Sequence, residues 1–584
     1  MKGEVWTVFQ GAKSESFAVE VTGVIQNALG PGKSMILCRL TDERVQNMGA
    51  VAGMSGSPLY IDGRLAGALS YQVQRFETVR YAGFTPIEDL LEVRKIALNT
   101  VPRRGHGGQE RHPTLPASSQ PADPAPAPAG DVPSGVSTAQ QSPSARAGVF
   151  SPSADPLAAG LQPLTPVFAL GGISPQVASL FSDRFQAVGL NVTALGGNTL
   201  AGTEAAATAV RDVELKPGDA VAAALSVGDI TLAGTGTVSH VDGDRVLAFG
   251  HPLMGLGAVA VPMAAADIVA ILPSNLNSFK ISNTGRVIGT VRQDRLSAIY
   301  GELGEGPELV PVTVKTPTRT LHFSTVRHPR LTPVIAAAGL TQAVLGSNDA
   351  GLTEGFRVAS EVTFPDGKKL ANTSVYPGPQ GFNSGLDSFI RRLGTWVDNP
   401  VEEVFPSEIV FSVEPLDENP MSSLDNVQVS RRTALPGEPV TITLTVRDYQ
   451  GAPVRETLTL DIPANWAGKS LDIVVTTGAS LDKLTGLPDS FPVAQIRSFD
   501  AYLDALRHER LTDGLYVAVL ERTSSFTDQT TATLDLPGSL ERVARTADEA
   551  RFQRRDVSVP LWERHVFPGR ILPAGVRRPL TIAE

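Results

Sequence analysis

A tract rich in proline, alanine and serine divides the chain and limits how it can fold. It extends from about residue 102 to 163 and contains the stretch PADPAPAPAGDVPSGVSTAQQSPSARAG. Such a composition buries too little apolar surface to offset the entropy lost on ordering. We therefore expect a disordered linker at 102–163, with separate ordered units before and after it.

The segment before this linker, residues 1–101, has the pattern of a small β unit. Strand-like runs occupy 5–9, 17–25, 35–40, 59–61 and 65–71, and the Asp62-Gly63 pair between the last two is a hairpin signal. The unit ends in TPIEDLLEVRKIAL, where we expect Thr85 to cap a helix that begins at Pro86.

The segment after the linker, residues 164–395, also alternates short apolar runs with glycine and aspartate turns. The stretch LKPGDAVAAALSVGDITLAGTGTVSHVDGDRVLAFGHPLMGLG shows this pattern most clearly. A continuous apolar run near Met263 to Leu272 is predicted to be a helix. The second unit is therefore expected to be mainly β, with additional elements.

The C-terminal third changes character again. At 405–480 apolar residues alternate with polar ones, as in 440–446, which indicates an antiparallel sheet with one buried face. We interpret 405–480 as an immunoglobulin-like β-sandwich and 481–584 as a small α+β region. In the latter, Phe499, Tyr502, Leu503 and Leu506 have the spacing of an amphipathic helix.

Charge and cysteine content exclude several function classes. The net charge of −10 is spread over 584 residues without a long basic run, so no nucleic-acid partner is expected. Cys38 is the only cysteine, which excludes an intrachain disulfide and a cysteine-based metal centre. No His/Asp/Glu cluster has metal-ligand spacing, so no metal or cofactor is expected.

Two features bear on membranes and export. No run approaches the roughly 18 apolar residues that a spanning helix requires, so no transmembrane segment is expected. The N-terminus MKGEVWTVF has no apolar signal region. We expect either an intracellular chain or one whose export signal lies in missing upstream sequence.

The segment GMSGSP places Ser55 between residues suited to nucleophilic chemistry. A serine hydroxyl needs a base to remove its proton and backbone donors to receive the developing oxyanion. Gly53 lets its own N–H and that of Ser55 point to one place, and Gly56 lets a substrate backbone approach the hydroxyl. A simple tight turn between two strands would use the same residues.

A base is expected among the eight histidines, and two of them have suitable contexts. His251 follows a strand end in AFGHP, whereas His240 lies within a strand in TVSHVDG. An exposed strand end suits a catalytic base better than a mid-strand position, so we favour His251 over His240. A structural histidine is the alternative interpretation.

Two segments of this chain resemble the SpoIVB sporulation serine peptidase family. The stretch from TVFQGAKSESFAVEVTGV through GAVAGMSGSPLYIDGRLAGALSY resembles the C-terminal half of that peptidase domain. GTGTVSHVDGDRVLAFGHP, with FKISNTGRVIGTVRQDR after it, resembles the N-terminal half. The resemblance implies that Ser55 is the nucleophile and His251 the general base.

The resemblance further implies a chymotrypsin-like double β-barrel, here assembled from two separated segments. The family places its histidine half first, whereas this chain places the serine half first, which is a circularly permuted arrangement. The family's candidate aspartate matches Asp42 in Thr41-Asp42, with a shorter spacing to the serine. A Ser-His dyad, or another orienting residue such as Asp294, stays open.

We therefore predict a serine endopeptidase that cleaves protein or peptide substrates through an acyl-enzyme. The N–H groups of Gly53 and Ser55 would form the oxyanion hole. A periplasmic or extracytoplasmic location, and possible self-processing in the linker, accompany this interpretation. The alternative is a non-catalytic double-barrel binding or scaffold protein of the cell envelope.

Overall fold

The computed structural model describes residues 1–73, 79–99, 161–198, 214–273, 278–346, 353–399, 401–485, 498–527, 532–534, 553–573 and 575–584. The protein is mainly β, with 52% strand and 19% helix, as the sequence predicts. Most of the predicted linker, residues 102–160, lies outside the described residues.

The first unit forms a closed ring of antiparallel strands, here called the serine ring. Its elements are β1 (Lys2–Val8), β2 (Ser14–Gly30), β3 (Lys33–Leu40), α1 (Glu43–Met48), β4 (Pro58–Ile61), β5 (Arg64–Val73), β6 (Tyr81–Pro86) and α2 (Ile87–Asn99). The strands pair in the order β4-β1-β2-β3-β6-β5, and β5 pairs back with β4. β6 extends through Pro86, so the prediction that Thr85 caps the helix is wrong, because Thr85 continues the strand pairing.

The second unit contains another closed ring, the histidine ring, preceded by short elements. These elements are β7 (Leu161–Pro163), β8 (Phe168–Gly171), α3 (Pro175–Ala187), β9 (Val192–Thr193) and β10 (Gly197–Asn198). The ring strands are β11 (Ala220–Gly228), β12 (Thr231–Asp242), β13 (Arg245–Ala248), β14 (Gly257–Leu272), β15 (Phe279–Arg295) and β16 (Ala298–Leu303). They pair in the order β11-β14-β15-β16-β13-β12, and β11 closes the ring by pairing with β12.

The predicted helix near Met263 to Leu272 is wrong, because this run is the second half of β14. Ala264 pairs with Ala222 of β11 on one side and with Val287 of β15 on the other. A short apolar run has no periodicity that distinguishes a buried strand from a buried helix. Pairing on both edges, which the local sequence does not reveal, decides this case.

The sheet of the histidine ring continues into a layer covered by helices. The added elements are β17 (Leu309–Lys315), β18 (Thr320–Val326), α4 (Leu331–Leu345), β19 (Gly355–Thr363), β20 (Lys369–Tyr376), α5 (Gly378–Val397) and β21 (Glu408–Leu416). β18 pairs with β11, and β17 pairs in parallel with β21. α4 is almost entirely buried and shares one large apolar core with the ring.

The C-terminal part contains two sheets that share a second apolar core. Its elements are β22 (Ser422–Val429), β23 (Thr433–Ala434), β24 (Pro439–Asp448), β25 (Pro453–Asp461), β26 (Ser470–Thr476), α6 (Gly478–Thr485), α7 (Phe499–Arg507), β27 (Leu515–Thr527), β28 (Ala532–Leu534), β29 (Gln553–Val566) and β30 (Val576–Ile582). Ile442, Ile473 and Leu580 belong to the same core, so the packed unit extends beyond the predicted end at residue 480. The alternating pattern identified one buried face, but not the sheet that covers it.

The amphipathic helix that the sequence predicts near residue 500 is confirmed as α7. Phe499, Tyr502, Leu503 and Leu506 are its buried residues. They pack into the core of the histidine ring and its extension, and the Tyr502 hydroxyl donates to the carbonyl of Thr395 at 2.5 Å.

Backbone hydrogen bonds join the two rings directly. Gly11 and Ile268 exchange both backbone hydrogen bonds, at 2.7 and 2.9 Å. Ala52 donates to Ser278 and accepts from Lys280, each at 2.9 Å. The loop that precedes β4 therefore lies against the start of β15, which places residues from both rings at one interface.

Candidate active site

Ser55 lies in a tight loop between α1 and β4, and residues 52–57 are here called the serine loop. Gly53 and Gly56 have φ angles of 96° and 94°, a backbone conformation that residues with a Cβ rarely adopt. Ser55 is fully buried, and its Oγ has no hydrogen-bond partner within the described residues. The hydroxyl is therefore held in place by its backbone, not by a structural contact of its own.

Strand β12 of the histidine ring holds the serine loop through its carbonyl groups. Thr237 donates from its N–H to the Ser55 carbonyl at 2.8 Å and from Oγ1 to the Gly53 carbonyl at 3.0 Å. The Ser239 hydroxyl donates to the Gly56 carbonyl at 2.8 Å. Because these groups are buried, the orientation of the loop's peptide planes is fixed by the second ring.

Two further contacts fix the peptide planes that carry the N–H groups of Gly53 and Ser55. Lys280 donates its N–H to the carbonyl preceding Gly53 at 2.9 Å, and Ser57 donates its N–H and Oγ to the carbonyl preceding Ser55 at 3.0 and 2.6 Å. In a trans peptide the N–H points opposite to the carbonyl. Among the described residues, the N–H groups of Gly53 and Ser55 donate no hydrogen bond. Both are thus available to an incoming oxyanion.

His251 follows β13 and is brought to the serine loop by two residues in the left-handed region. Phe249 and Gly250 have φ angles of 70° and 66°, and a positive φ at a phenylalanine is uncommon. A Cβ on Gly56 would lie 2.4 Å from the Phe249 nitrogen, and one on Gly250 would lie 2.5 Å from Ser70 Oγ. Only glycine allows this approach, so the segments bearing Ser55 and His251 lie directly against each other.

Thr85 supplies a further link between the two segments. Its Oγ1 lies 2.8 Å from the Gly250 carbonyl and 2.8 Å from Ser70 Oγ. All three residues are buried, and Gly250 directly precedes His251. The end of β6 therefore anchors the backbone that carries the histidine to β5 of the serine ring.

The imidazole of His251 is held in the tautomer that a general base requires. Nδ1 lies 2.7 Å from the Pro252 carbonyl, and a carbonyl only accepts, so Nδ1 carries the proton. Nε2 is buried and has no hydrogen-bond partner among the described residues. Burial lowers the pKa of His251 to about 4, although the backbone carbonyls of Pro252 and Leu164 act in the opposite direction. The ring is therefore neutral at pH 7, with the Nε2 lone pair unoccupied.

Asp42 lies at the N-terminus of α1, where other groups bind its carboxylate. It accepts from the Arg44 N–H and Nε at 3.0 and 3.1 Å, and Arg44 also lies 3.0 Å from Oδ2. The Arg44 guanidinium holds the pKa of Asp42 below its usual value. Within the described residues Asp42 has no hydrogen bond with His251, so its predicted orienting role stays a prediction.

Asp294 supports the segment that follows His251. Oδ1 accepts from the Leu253 N–H at 2.6 Å, and Oδ2 accepts from Met254 and Leu256 at 2.8 and 3.2 Å. Desolvation raises the pKa of this buried carboxyl, and the backbone donors oppose that effect. Asp294 thus holds the backbone that follows His251 and, within the described residues, makes no hydrogen bond to the imidazole.

Sequence reasoning assigned no role in the site to Thr85, which it interpreted as a helix cap, or to Thr237, Ser239 and Lys280. These residues lie within strands, and hydroxyl side chains in strands are common, so no local signal marks them. Their roles arise from pairing between two segments that are distant in sequence. Thr237 and Ser239 do fall inside the quoted stretch GTGTVSHVDG.

None of the remaining features, which are the other candidate histidine, possible metal ligands and possible membrane-spanning helices, forms a second site within the described residues. His240 is half-buried on β12, in register with Leu247, and within the described residues no hydrogen bond joins its side chain to the serine loop. No group of three potential metal ligands is present in the described ranges. None of the described helices has the length and apolar character needed to cross a membrane.

Comparison with known protein families gives a match to the first segment of the chain. Residues 1–85 match the family described as SpoIVB peptidase S55. The match includes Asp42 and Ser55 and ends before His251, and it indicates a serine peptidase of the SpoIVB type. Neither a curated protein nor a solved structure matches the chain.

Proposed function

We propose that this protein is a serine endopeptidase in which Ser55 is the nucleophile and His251 the general base. One observation carries the proposal. Ser55 Oγ and His251 Nε2 are buried polar atoms without hydrogen-bond partners among the described residues, on two segments packed against each other. Buried polar groups normally find partners, so an exception requires an explanation, and a catalytic role is one such explanation.

The proposed chemistry uses groups of this chain alone. Ser55 Oγ attacks the carbonyl carbon of a peptide bond while Nε2 of His251 accepts the hydroxyl proton. The N–H groups of Gly53 and Ser55 receive the developing oxyanion, and each such donor typically contributes about 3 kcal/mol. His251 then donates its proton to the departing amine, and water hydrolyses the acyl-enzyme by the reverse sequence.

Orientation of the imidazole is assigned here to the Pro252 carbonyl and, through the backbone, to Asp294. For Asp42 to act as the orienter, its carboxylate would have to leave Arg44. We retain Asp42 as the residue that the family resemblance implies. The comparison of Asp42 and Asp294 variants described below separates the two assignments.

The two strand rings support the proposal of a chymotrypsin-like double barrel with its site between the rings. The C-terminal sheets would then be an accessory module. The alternating burial along β24 supports the proposal that this module is an immunoglobulin-like sandwich. An extracytoplasmic location accompanies the proposal because of the family resemblance, and self-processing accompanies it because the predicted linker would be an accessible cleavage site.

A specific observation favours the alternative function, a non-catalytic binding or scaffold protein. Ser55 and His251 are 0% and 1% exposed, so neither atom is open to a substrate in this conformation. If this burial were permanent, the site would be a relic of a peptidase. The two functions differ in whether Ser55 can react at all.

Labelling with a fluorophosphonate probe tests the proposal. The probe phosphonylates only an activated serine, so we expect slow labelling of the purified chain at Ser55, located by peptide mapping. Ser55→Ala and His251→Ala should each abolish it. His240→Ala, which removes the other candidate histidine, is the matched control and should label like the parent chain. Labelling at a different serine, or undiminished labelling of His251→Ala, would contradict the proposal.

A further inference from the structure

A short strand of the chain itself lies along the edge of β5 next to the serine loop. β7 pairs antiparallel with β5, with Pro163 opposite Tyr71, Gln162 opposite Gln72 and Leu161 opposite Val73. This strand comprises the last three residues of the predicted linker 102–163, so the prediction of disorder is wrong for residues 161–163. An added antiparallel strand is also how an extended peptide binds to an open sheet edge.

The position of this edge relative to Ser55 is fixed by hydrogen bonds. Leu69 of β5 accepts from the Gly56 N–H at 2.7 Å and donates to the Ser57 carbonyl at 2.9 Å, so it flanks the nucleophile directly. The next carbonyl along β5, that of Ser70, accepts from the Leu164 N–H at 2.8 Å. Leu164 therefore lies one residue beyond the contact that positions the serine loop.

A β-bulge makes the Ser70 carbonyl available for this contact. The register of β5 against β6 shifts between Leu69 and Tyr71, which leaves Ser70 outside the regular ladder. Bulges of this kind redirect a backbone group next to functional sites. Here the redirected carbonyl binds residue 164.

Leu164 also reaches the other half of the site. Its side chain is 1% exposed and belongs to the apolar core that contains Met54 and Leu69. The backbone of Leu164 also acts to raise the pKa of His251, against the effect of burial. After Leu164 the chain turns, with the Thr165 N–H donating to the Pro163 carbonyl at 2.7 Å, and Thr165 itself is exposed.

We propose that residues 161–164 are an internal blocking strand that occupies the place of a substrate, with Leu164 as the residue next to the catalytic pair. The inference rests on the proposed function and explains why Ser55 and His251 are buried. The substrate is then an extended peptide that displaces the strand and binds to β5. It places an apolar side chain of leucine size where Leu164 lies.

The buried side chain of Leu164 offers a direct test. In Leu164→Asp an aspartate would have to occupy the apolar site, and the cost of burying a charge should release the strand. Thr165→Asp adds the same charge one residue later at an exposed position and is the matched control. We expect Leu164→Asp to label with the fluorophosphonate at Ser55 at least ten times faster than the parent chain and Thr165→Asp.

A peptide added in trans is a control for the case in which Leu164→Asp labels faster only because its fold is destabilised. The synthetic peptide LQPLTPV, residues 161–167, should slow labelling of Leu164→Asp again, whereas LQPDTPV should not. Recovery of slow labelling requires an intact site, so a misfolded variant would not show it.

The outcomes separate the two proposals. Ser55 labelling at equal rates in all three chains, or no effect of the peptide, overturns the blocking strand and leaves the peptidase proposal standing. Absence of Ser55 labelling in every chain, Leu164→Asp included, overturns both.

Discussion

Thr237 donates its backbone N–H to the carbonyl of Ser55 at 2.8 Å, and this contact joins the two separated halves of the site. Its hydroxyl adds a second contact, to the Gly53 carbonyl at 3.0 Å. One strand residue of the histidine ring thus orients the peptide groups that follow Gly53 and Ser55. The conformation of the serine loop is therefore supported by a segment that is distant in sequence.

Thr237→Val should therefore weaken both stability and reactivity. The buried Gly53 carbonyl loses its donor, which costs about 1–3 kcal/mol, and the oxyanion donors lose support, so fluorophosphonate labelling of Ser55 should slow. Thr231→Val is the matched control on the same strand, because Thr231 Oγ1 is buried without a hydrogen-bond partner among the described residues. Urea unfolding and labelling rates measure both effects, and equal losses in the two variants would contradict this role.

Burial of His251 predicts a loss of stability in acid. The pKa of His251 is lowered from 6.5 to about 4, so the unfolded chain binds this proton first as the pH falls. The contribution of His251 to the free energy of unfolding is fully present above pH 6.5. It is lost as the pH falls from 6.5 to 4, by about 3 kcal/mol in total.

The difference between the parent chain and His251→Gln isolates this contribution. His328, whose burial also lowers its pKa to about 4, is present in both chains and cancels. We expect urea unfolding to show a shallower pH dependence for His251→Gln in this window. Parallel curves for the two chains would rule out a buried neutral histidine.

Lys280 is a buried cation that the fold should tolerate poorly. It is 5% exposed, and Nζ donates to Thr7 Oγ1 at 2.9 Å, with no carboxylate ion pair among the described residues. Desolvation lowers the pKa of Lys280 from 10.5 to about 7. Because the pKa of Lys280 is lower in the folded chain than in the unfolded chain, the free energy of unfolding increases as the pH is raised from 7 to 10.5.

Lys280→Met should consequently stabilise the chain near pH 7 by about 2–4 kcal/mol, since it removes the cost of dehydrating the ammonium. The gain should shrink toward pH 10. Lys216→Met, at a side chain that is 64% exposed, is the control and should change the melting temperature little. A destabilised Lys280→Met at neutral pH would show that the Thr7 contact outweighs desolvation.

The sequence carried enough information to locate five of the six strands of the serine ring, α7 and the two residues of the proposed catalytic pair, but it missed β6, whose end was predicted to begin a helix. Periodicity and turn residues determine such local elements, and the glycines around Ser55 and His251 are required by backbone geometry. The sequence did not reveal that Met263 to Leu272 lies in a strand, that β21 pairs with β17, or that Thr237 supports Ser55. Each of these depends on which distant segment lies alongside, and local propensity does not encode that choice.

The two candidate aspartates can be separated by paired amide substitutions. Asp294→Asn replaces one accepting oxygen with an amide group, so at least one of the N–H groups of Leu253, Met254 and Leu256 loses its acceptor. The backbone after His251 should loosen, and labelling of Ser55 should slow by about tenfold or more, the equivalent of roughly 1.4 kcal/mol. Asp42→Asn keeps a good N-cap and alters mainly the ion pair with Arg44, so it should slow labelling less. A larger loss for Asp42→Asn would instead identify Asp42 as the carboxylate that orients the imidazole during the reaction.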